Sequence, residues 1–240
     1  MFLEKKINGL NIDIYADKGP CKENQDACCI ASNKRNIVVA ALCDGLGSYA
    51  GGKQAAEFVV KRVSQAWLDK NTEELLKINE EVRKDLSMGY TTVAAVNVNM
   101  VADFSQITYC NSGDTRIYLI GKGRMEQLSF DHTTEQALRQ AGCNESMALF
   151  FRQITHCIGM EKLEYYWNEN ILQEEELIVI ATDGAWELFE KKNEWDRIIQ
   201  LKTVEEKKKY IFDQLSYCSD DVEDNVTVML LYLDKKIEKE

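Results

Sequence analysis

The chain has 240 residues, 45% of them hydrophobic, enough to bury the core of one domain or two small ones. Its formal net charge of -11 argues against nucleic acid as a main partner, because phosphate backbones are met by basic patches. No apolar run approaches a membrane span, and Met1–Lys6 lacks the apolar stretch of a signal peptide.

A single proline, Pro20, and the absence of a Ser/Gly linker oppose a hinged two-domain chain, so 1–240 is expected to be one domain. The eight cysteines are Cys21, Cys28, Cys29, Cys43, Cys110, Cys143, Cys157 and Cys218. Their spacing is too wide for a disulfide scaffold, several lie inside apolar runs, and no C-x-x-C pair suggests zinc. The expectation is a reduced, cytoplasmic protein.

In chain order, Ile7–Tyr15 alternates loosely and reads as a strand. Asp26–Ala31 and Ile37–Cys43 read as a hairpin around the polar turn Asn33–Asn36, and the second run, apolar on both faces, as a central strand. The period then becomes helical, with Ala55, Ala56, Val59, Val60, Val63, Ala66 and Trp67 on one side. A second helix follows over Glu73–Leu86, with Thr72 as its N-cap. Strand signals return at Thr91–Val101, Ser105–Asn111, Arg116–Ile120 and Met125–Leu128, with Asp103, Gly113, Asp114, Gly121 and Gly123 in the turns. Thr133–Ala141 reads as a helix closed by Gly142, and 143–176 as loops and short elements. Leu177–Ala181 is a buried strand, followed by helices over Ala185–Glu190, Trp195–Leu201 and Val204–Tyr217. Val226–Leu233 is a final strand before a charged tail. This order predicts an α+β fold of antiparallel sheets flanked by helices.

Asp26, Asp44, Asp183 and Asp224 each stand at the edge of an apolar run. Carboxylates at the rim of a sheet are reachable by hard divalent cations, which prefer oxygen ligands. Singly, each is better explained as a solvated turn residue; together they point to a shared site.

The strings around them occur in the order found in a known family. They are Glu23-Asn24-Gln25-Asp26; Cys43-Asp44-Gly45-Leu46-Gly47 with Gly51-Gly52-Lys53-Gln54-Ala55-Ala56; Gly89-Tyr90-Thr91-Thr92; Ser112-Gly113-Asp114-Thr115-Arg116; Asp131-His132-Thr133; Ala181-Thr182-Asp183-Gly184-Ala185-Trp186-Glu187; and Asp224-Asn225-Val226-Thr227. In these the chain resembles the metal-dependent protein phosphatases (PPM, type 2C), of the compact bacterial Ser/Thr type. The resemblance implies an α-β-β-α sandwich with the site at one end, and a flap-like segment within about 143–176. It implies that Asp26, Asp44, Asp183 and Asp224, with the Gly45 carbonyl, hold two Mn²⁺ or Mg²⁺ ions partly through water, with Asp114 on a third. A hydroxide between the two ions would attack the phosphorus of phosphoserine or phosphothreonine in line, with no covalent enzyme intermediate. The implied partners are phosphorylated proteins, opposite a Ser/Thr kinase, with the chain a monomer and no nucleic acid or membrane involved.

Three positions depart from the family pattern. Cys21 stands where relatives carry a phosphate-gripping Arg, leaving Lys22 as a candidate substrate contact without a bidentate fork. Leu46 stands where animal relatives carry His, and Gln25 where many carry Glu. Cys21 and Gln25 favour the alternative of a pseudophosphatase that binds a phosphoprotein or partner without turnover. Eight cysteines also raise redox regulation, against which simple packing weighs more.

Blander roles are expected nearby: Arg116 as an ion-pair partner, His132 as a structural group, Thr91 and Thr92 as supports for the aspartates. Cys29–Arg35 and Cys110–Arg116 both fit the Cys-x5-Arg spacing of thiolate phosphatases. Neither cysteine precedes a helix, so neither loop can supply the amides that chemistry needs.

Overall fold

A computed structural model of the chain describes residues 1–47, 49–100, 105–121, 123–144, 148, 151–217 and 222–233. Val101, Asp103, Cys218 and the tail beyond Leu233 lie outside the described residues.

The strands alternate their side chains between two different cores, and this builds four layers. In β4 (Ile37–Cys43), Val38, Ala40 and Leu42 face the facing sheet, while Val39, Ala41 and Cys43 face helices. In β10 (Leu177–Ala181), Ile178 and Ile180 enter the first core, and Leu177, Val179 and Ala181 enter another helix-covered core. A strand apolar at every position is therefore buried on both sides.

One five-stranded antiparallel sheet has the order β3-β4-β5-β6-β9, with β3 (Ala27–Ser32), β5 (Val93–Met100), β6 (Ser105–Ser112) and β9 (Tyr166–Leu172) around β4. Its outer face carries α1 (Gly52–Ala66) and α2 (Glu73–Lys84). The six-stranded antiparallel sheet has the order β1-β2-β11-β10-β7-β8. Here β1 is Phe2–Ile7, β2 Leu10–Asp17, β7 Arg116–Ile120, β8 Met125–Gln127 and β11 Val226–Leu233. Its outer face carries α4 (Asp183–Lys191), α5 (Glu194–Gln200) and α6 (Val204–Tyr217), while the short α3 (Thr134–Gln140) follows β8. The expected sandwich of two antiparallel sheets between helices is the fold.

The differences from expectation are local. Ile7–Tyr15 is not one strand: Asn8 and Gly9 both take positive φ, 54° and 89°, and turn β1 back on β2. Asn-Gly is the favoured pair for such a two-residue turn. Thr72 precedes α2 but makes no side-chain capping bond, whereas Thr133 accepts from the Gln136 amide at 3.2 Å and caps α3. The stretch expected to hold only loops and short elements contributes β9, a seven-residue edge strand paired with β6. Its outward positions are polar or exposed, which hid it from an apolar-run reading.

Ile178 is fully buried between the sheets. Ile178→Ala is expected to lower stability by about 2–5 kcal/mol through lost transfer energy and a cavity. Urea unfolding checks this as a lower midpoint with an unchanged slope.

Candidate active site

Strand register brings the aspartates to one end of the sandwich. Ala27 pairs with Cys43 across the β3–β4 ladder, so Asp26, one residue before β3, and Asp44, one residue after β4, emerge side by side. In the other sheet Ala181 pairs with Val228, and the Thr182 amide donates to the Thr227 carbonyl at 3.1 Å. Asp183 then opens α4, and Asp224 stands two residues before β11. Asp183 was expected at a strand end; it is the first helical residue, where a carboxylate suits the positive end of the helix dipole, and it accepts from the Gly184 amide at 2.7 Å.

Hydrogen bonds sew the two sheet ends together. Asp26 Oδ2 accepts from Thr227 Oγ1 at 2.7 Å and from Thr182 Oγ1 at 3.2 Å, so one sheet orients the other's carboxylate. The Asn225 side chain accepts from the Gln25 amide at 2.7 Å and donates to the carbonyls of Lys18 and Glu23 at 2.9 and 3.1 Å. Asp44 is fixed by its backbone: its amide donates to Thr92 Oγ1 at 3.0 Å and its carbonyl accepts from Thr91 Oγ1 at 2.8 Å. Those two threonines act as the expected supports. Thr182, Thr227 and Asn225 lie within the motif strings, and sequence reasoning alone assigns them no role. A hydroxyl or amide beside a motif aspartate was the only available signal.

Gly45 is required by close approach. A Cβ there would lie 2.5 Å from the Gly52 carbonyl carbon and 3.0 Å from the Gln25 carbonyl oxygen. Its backbone is thus clamped between Asp44, Gln25 and the start of α1.

The carboxylates crowd one another. Asp44 lies close enough to Asp183 for each carboxyl to perturb the other. Burial, then the neighbouring acids, pushes Asp26 up to about 7 despite the two threonine hydroxyls. Burial and the nearby Asp224 and Glu187 push Asp183 up to about 6. Asp44 and Asp114 are driven well above the ordinary carboxylate range, by burial first and by Asp183 next. Asp26 Oδ1, Asp114 Oδ1 and Gln25 Oε1 are buried with no hydrogen-bond partner among the described residues. Orphaned oxygens among mutually repelling acids are the donor set a hard cation would satisfy. Among the described residues no three His, Cys, Asp or Glu side chains are already drawn close enough to hold an ion alone. An ion here would complete its shell with water and backbone carbonyls.

A cleft of about 310 Å³ opens on this array, lined by Asp183, Gly184, Glu187, Lys191, Glu223 and Asp224, among others. Cys21 sits at its edge, its thiol donating to Asp224 Oδ1 at 3.5 Å. Lys22 is exposed in the turn before β3, and among the described residues no hydrogen bond or ion pair fixes its ammonium. Arg116 is the ion-pair partner expected, bound to Asp131 and Glu190. His132 is buried, its ring against the Gly113 carbonyl at 3.4 Å. Cys110 lies mid-strand in β6 and burial pushes its thiol up, which excludes it as a thiolate nucleophile.

The family model described as Protein phosphatase 2C matches residues 21–216. The chain belongs to the protein phosphatase 2C family. Among curated relatives, the serine/threonine phosphatase stp of Listeria monocytogenes serotype 4b is 27% identical, over 94% of this chain and 96% of its own. The S. agalactiae serine/threonine phosphatase shares the fold with a TM-score of 0.75 at 23% identity, covering 94% of this chain and all (100%) of its own. RsbX, solved in complex with magnesium, superposes with a TM-score of 0.69 at 14% identity, over 98% of this chain and 100% of its own. These two structures speak to the fold that this phosphatase 2C chain adopts.

The raised Asp26 and Asp183 give a pH signature. Between about pH 4 and 7 the folded state binds more protons than the unfolded chain, so these groups make stability fall as pH rises through that window. In chelator, Asp26→Asn is expected to flatten that fall relative to the unaltered chain. Denaturant titrations at pH 5 and pH 8 read the difference.

Proposed function

We propose that this phosphatase 2C chain hydrolyses phosphoserine and phosphothreonine in proteins, using two Mn²⁺ or Mg²⁺ ions held by Asp26, Asp44, Asp183, Asp224 and the Gly45 carbonyl. Asp114 would serve a third ion. The observation that carries this reading is the convergence of crowded, partly orphaned carboxylates beside an open cleft. Ions bound there would acidify water and offset the charge of the phosphoryl oxygens.

The chain's own groups do the positioning. Thr182 and Thr227 hold Asp26 and favour its ionised form. Thr91 and Thr92 fix the turn that presents Asp44 and Gly45. Asn225 clips the 18–25 loop against the rim, placing Gln25 and Asp26 together. The cleft beside Asp183 and Asp224 admits the phosphorylated side chain. Leu46 carries no transferable proton, so the departing Ser or Thr oxygen takes its proton from water. Cys21 offers no positive charge to the phosphate, and Lys22 is the free cation proposed to meet it.

The whole chain, 1–240, is read as one catalytic domain with a flap within 143–176. Arg152, inside that segment, reaches Glu187 in the cleft wall at 2.8 Å. The proposed setting is the cytoplasm, as a monomer opposing a Ser/Thr kinase. No helix among the described residues is long and apolar enough to cross a membrane.

The test is hydrolysis of a phosphothreonine peptide with Mn²⁺, with and without chelator. Turnover is expected to vanish in chelator and to return with added Mn²⁺. Asp183→Asn is expected to lower kcat by about 10²–10³-fold, the scale of losing one charge-stabilising group. Turnover that survives complete metal removal sinks the mechanism; Mn²⁺ binding with no turnover on any phosphopeptide favours the pseudophosphatase.

A further inference from the structure

Arg116 is buried, 8% exposed, and its guanidinium is almost fully engaged. Nε and Nη2 donate to Asp131 Oδ2 at 2.8 and 2.6 Å, and Nη1 donates to Tyr118 Oη at 3.1 Å and to Glu190. Asp131 is itself held by Gln127, whose Nε2 donates to Oδ1 at 2.8 Å. The guanidinium carbon Cζ lies over the ring of Trp186, 3.4 Å from its centre, and Trp186 is 3% exposed. Trp186 in turn donates its indole N–H to the Asp114 carbonyl at 3.0 Å.

Helix geometry gives this cluster a direction. Asp183, Trp186 and Glu190 stand at i, i+3 and i+7 on α4 and share one face. Arg116 grips that face at two of the three positions, Trp186 by stacking and Glu190 by charge. The third position is the site aspartate. The same indole ties α4 to the backbone of Asp114, the β6–β7 turn residue whose Oδ1 has no partner among the described residues. A rotation of α4 would therefore move Asp183 and release Asp114 together.

We propose that Arg116 is a positioning residue, acting through Trp186 to hold Asp183 and Asp114 in the mutual arrangement that a divalent cation needs. This rests on reading those two carboxylates as cation-facing. A plane and a fork are both used, so lysine, a point charge without either, cannot replace it.

Calorimetric titration of the full chain with Mn²⁺ tests the assignment, on the unaltered chain, Arg116→Lys and Trp186→Phe. Trp186→Phe keeps an aromatic ring against Arg116 and removes the indole N–H together with part of the fused ring, so it tests the link even if the buried charge cluster fails to fold around lysine. Both substitutions are expected to weaken Mn²⁺ binding by about 10–100-fold, the scale for outer groups that orient ligands. In phosphopeptide kinetics, kcat at limiting Mn²⁺ is expected to fall and to recover at high Mn²⁺, with KM for the peptide moving less than about twofold. Unaltered Mn²⁺ affinity in Trp186→Phe, whatever happens to the melting temperature, overturns the proposal. An unaltered chain that takes up no Mn²⁺ instead overturns the cation reading beneath it, so the two failures are distinct.

Discussion

Mutual repulsion among carboxylates at one end of the sandwich is the constraint around which the rest of this molecule is arranged. Asp26, Asp44, Asp114 and Asp183 are all pushed toward their protonated forms by burial and by neighbouring acids. A site assembled only for stability would have met them with Lys or Arg, as the chain does elsewhere: Lys208 meets Asp13 beneath α6, and Arg116 meets Asp131. Leaving acids crowded and short of partners costs folding energy, and such cost is characteristic of places built to receive a ligand.

The scaffold pays that cost through rigidity. Two sheets whose central strands are buried on both faces fix the ends of β3, β4, β10 and β11, and the aspartates depart from those ends within one or two residues. Only short linkages remain to be specified, and hydroxyls and amides of Thr91, Thr92, Thr182, Thr227 and Asn225 specify them. Each of these contacts bonds a backbone group or a single carboxylate oxygen. Asp26 Oδ1 is left unpaired while Oδ2 is held, which orients the carboxylate without consuming it. This phosphatase 2C chain thus uses ordinary sheet packing to support an electrostatically unfavourable cluster.

Electrostatics beyond that cluster are asymmetric. On the side nearest Asp114 and Asp183, Arg116 lies over Trp186, and the indole N–H donates to the Asp114 carbonyl. The Cys21–Asp224 edge is more open: Asp224 is exposed, and its Oδ1 accepts from the Asn225 amide at 2.7 Å and from the Cys21 thiol at 3.5 Å. Trp186 lies in the helix-covered core, while Asp183 and Asp224 both line the cleft where a substrate would enter.

Much of this was legible in the chain itself. Apolar runs two-faced in β4 and β10, helical periodicity in α1, and the ordered Asp-containing strings gave the layers and the candidate residues, because burial on both faces and turn chemistry leave local marks. The Asn8-Gly9 hairpin carries an equally local mark, its Asn-Gly pair, which the loose alternation of Ile7–Tyr15 masks. Other features had no local mark. The polar edge strand β9 exists because β6 offers it a partner, and Thr72 fails to cap although it is a capping residue type. Which hydroxyl meets Asp26, and that Trp186 reaches Asp114, depend on contacts 156, 201 and 72 residues apart. A sequence by itself determines which groups are available and on which face of an element they fall. Only the tertiary structure decides which of them meet, because that follows from strand order and register, which are properties of the assembled sheets.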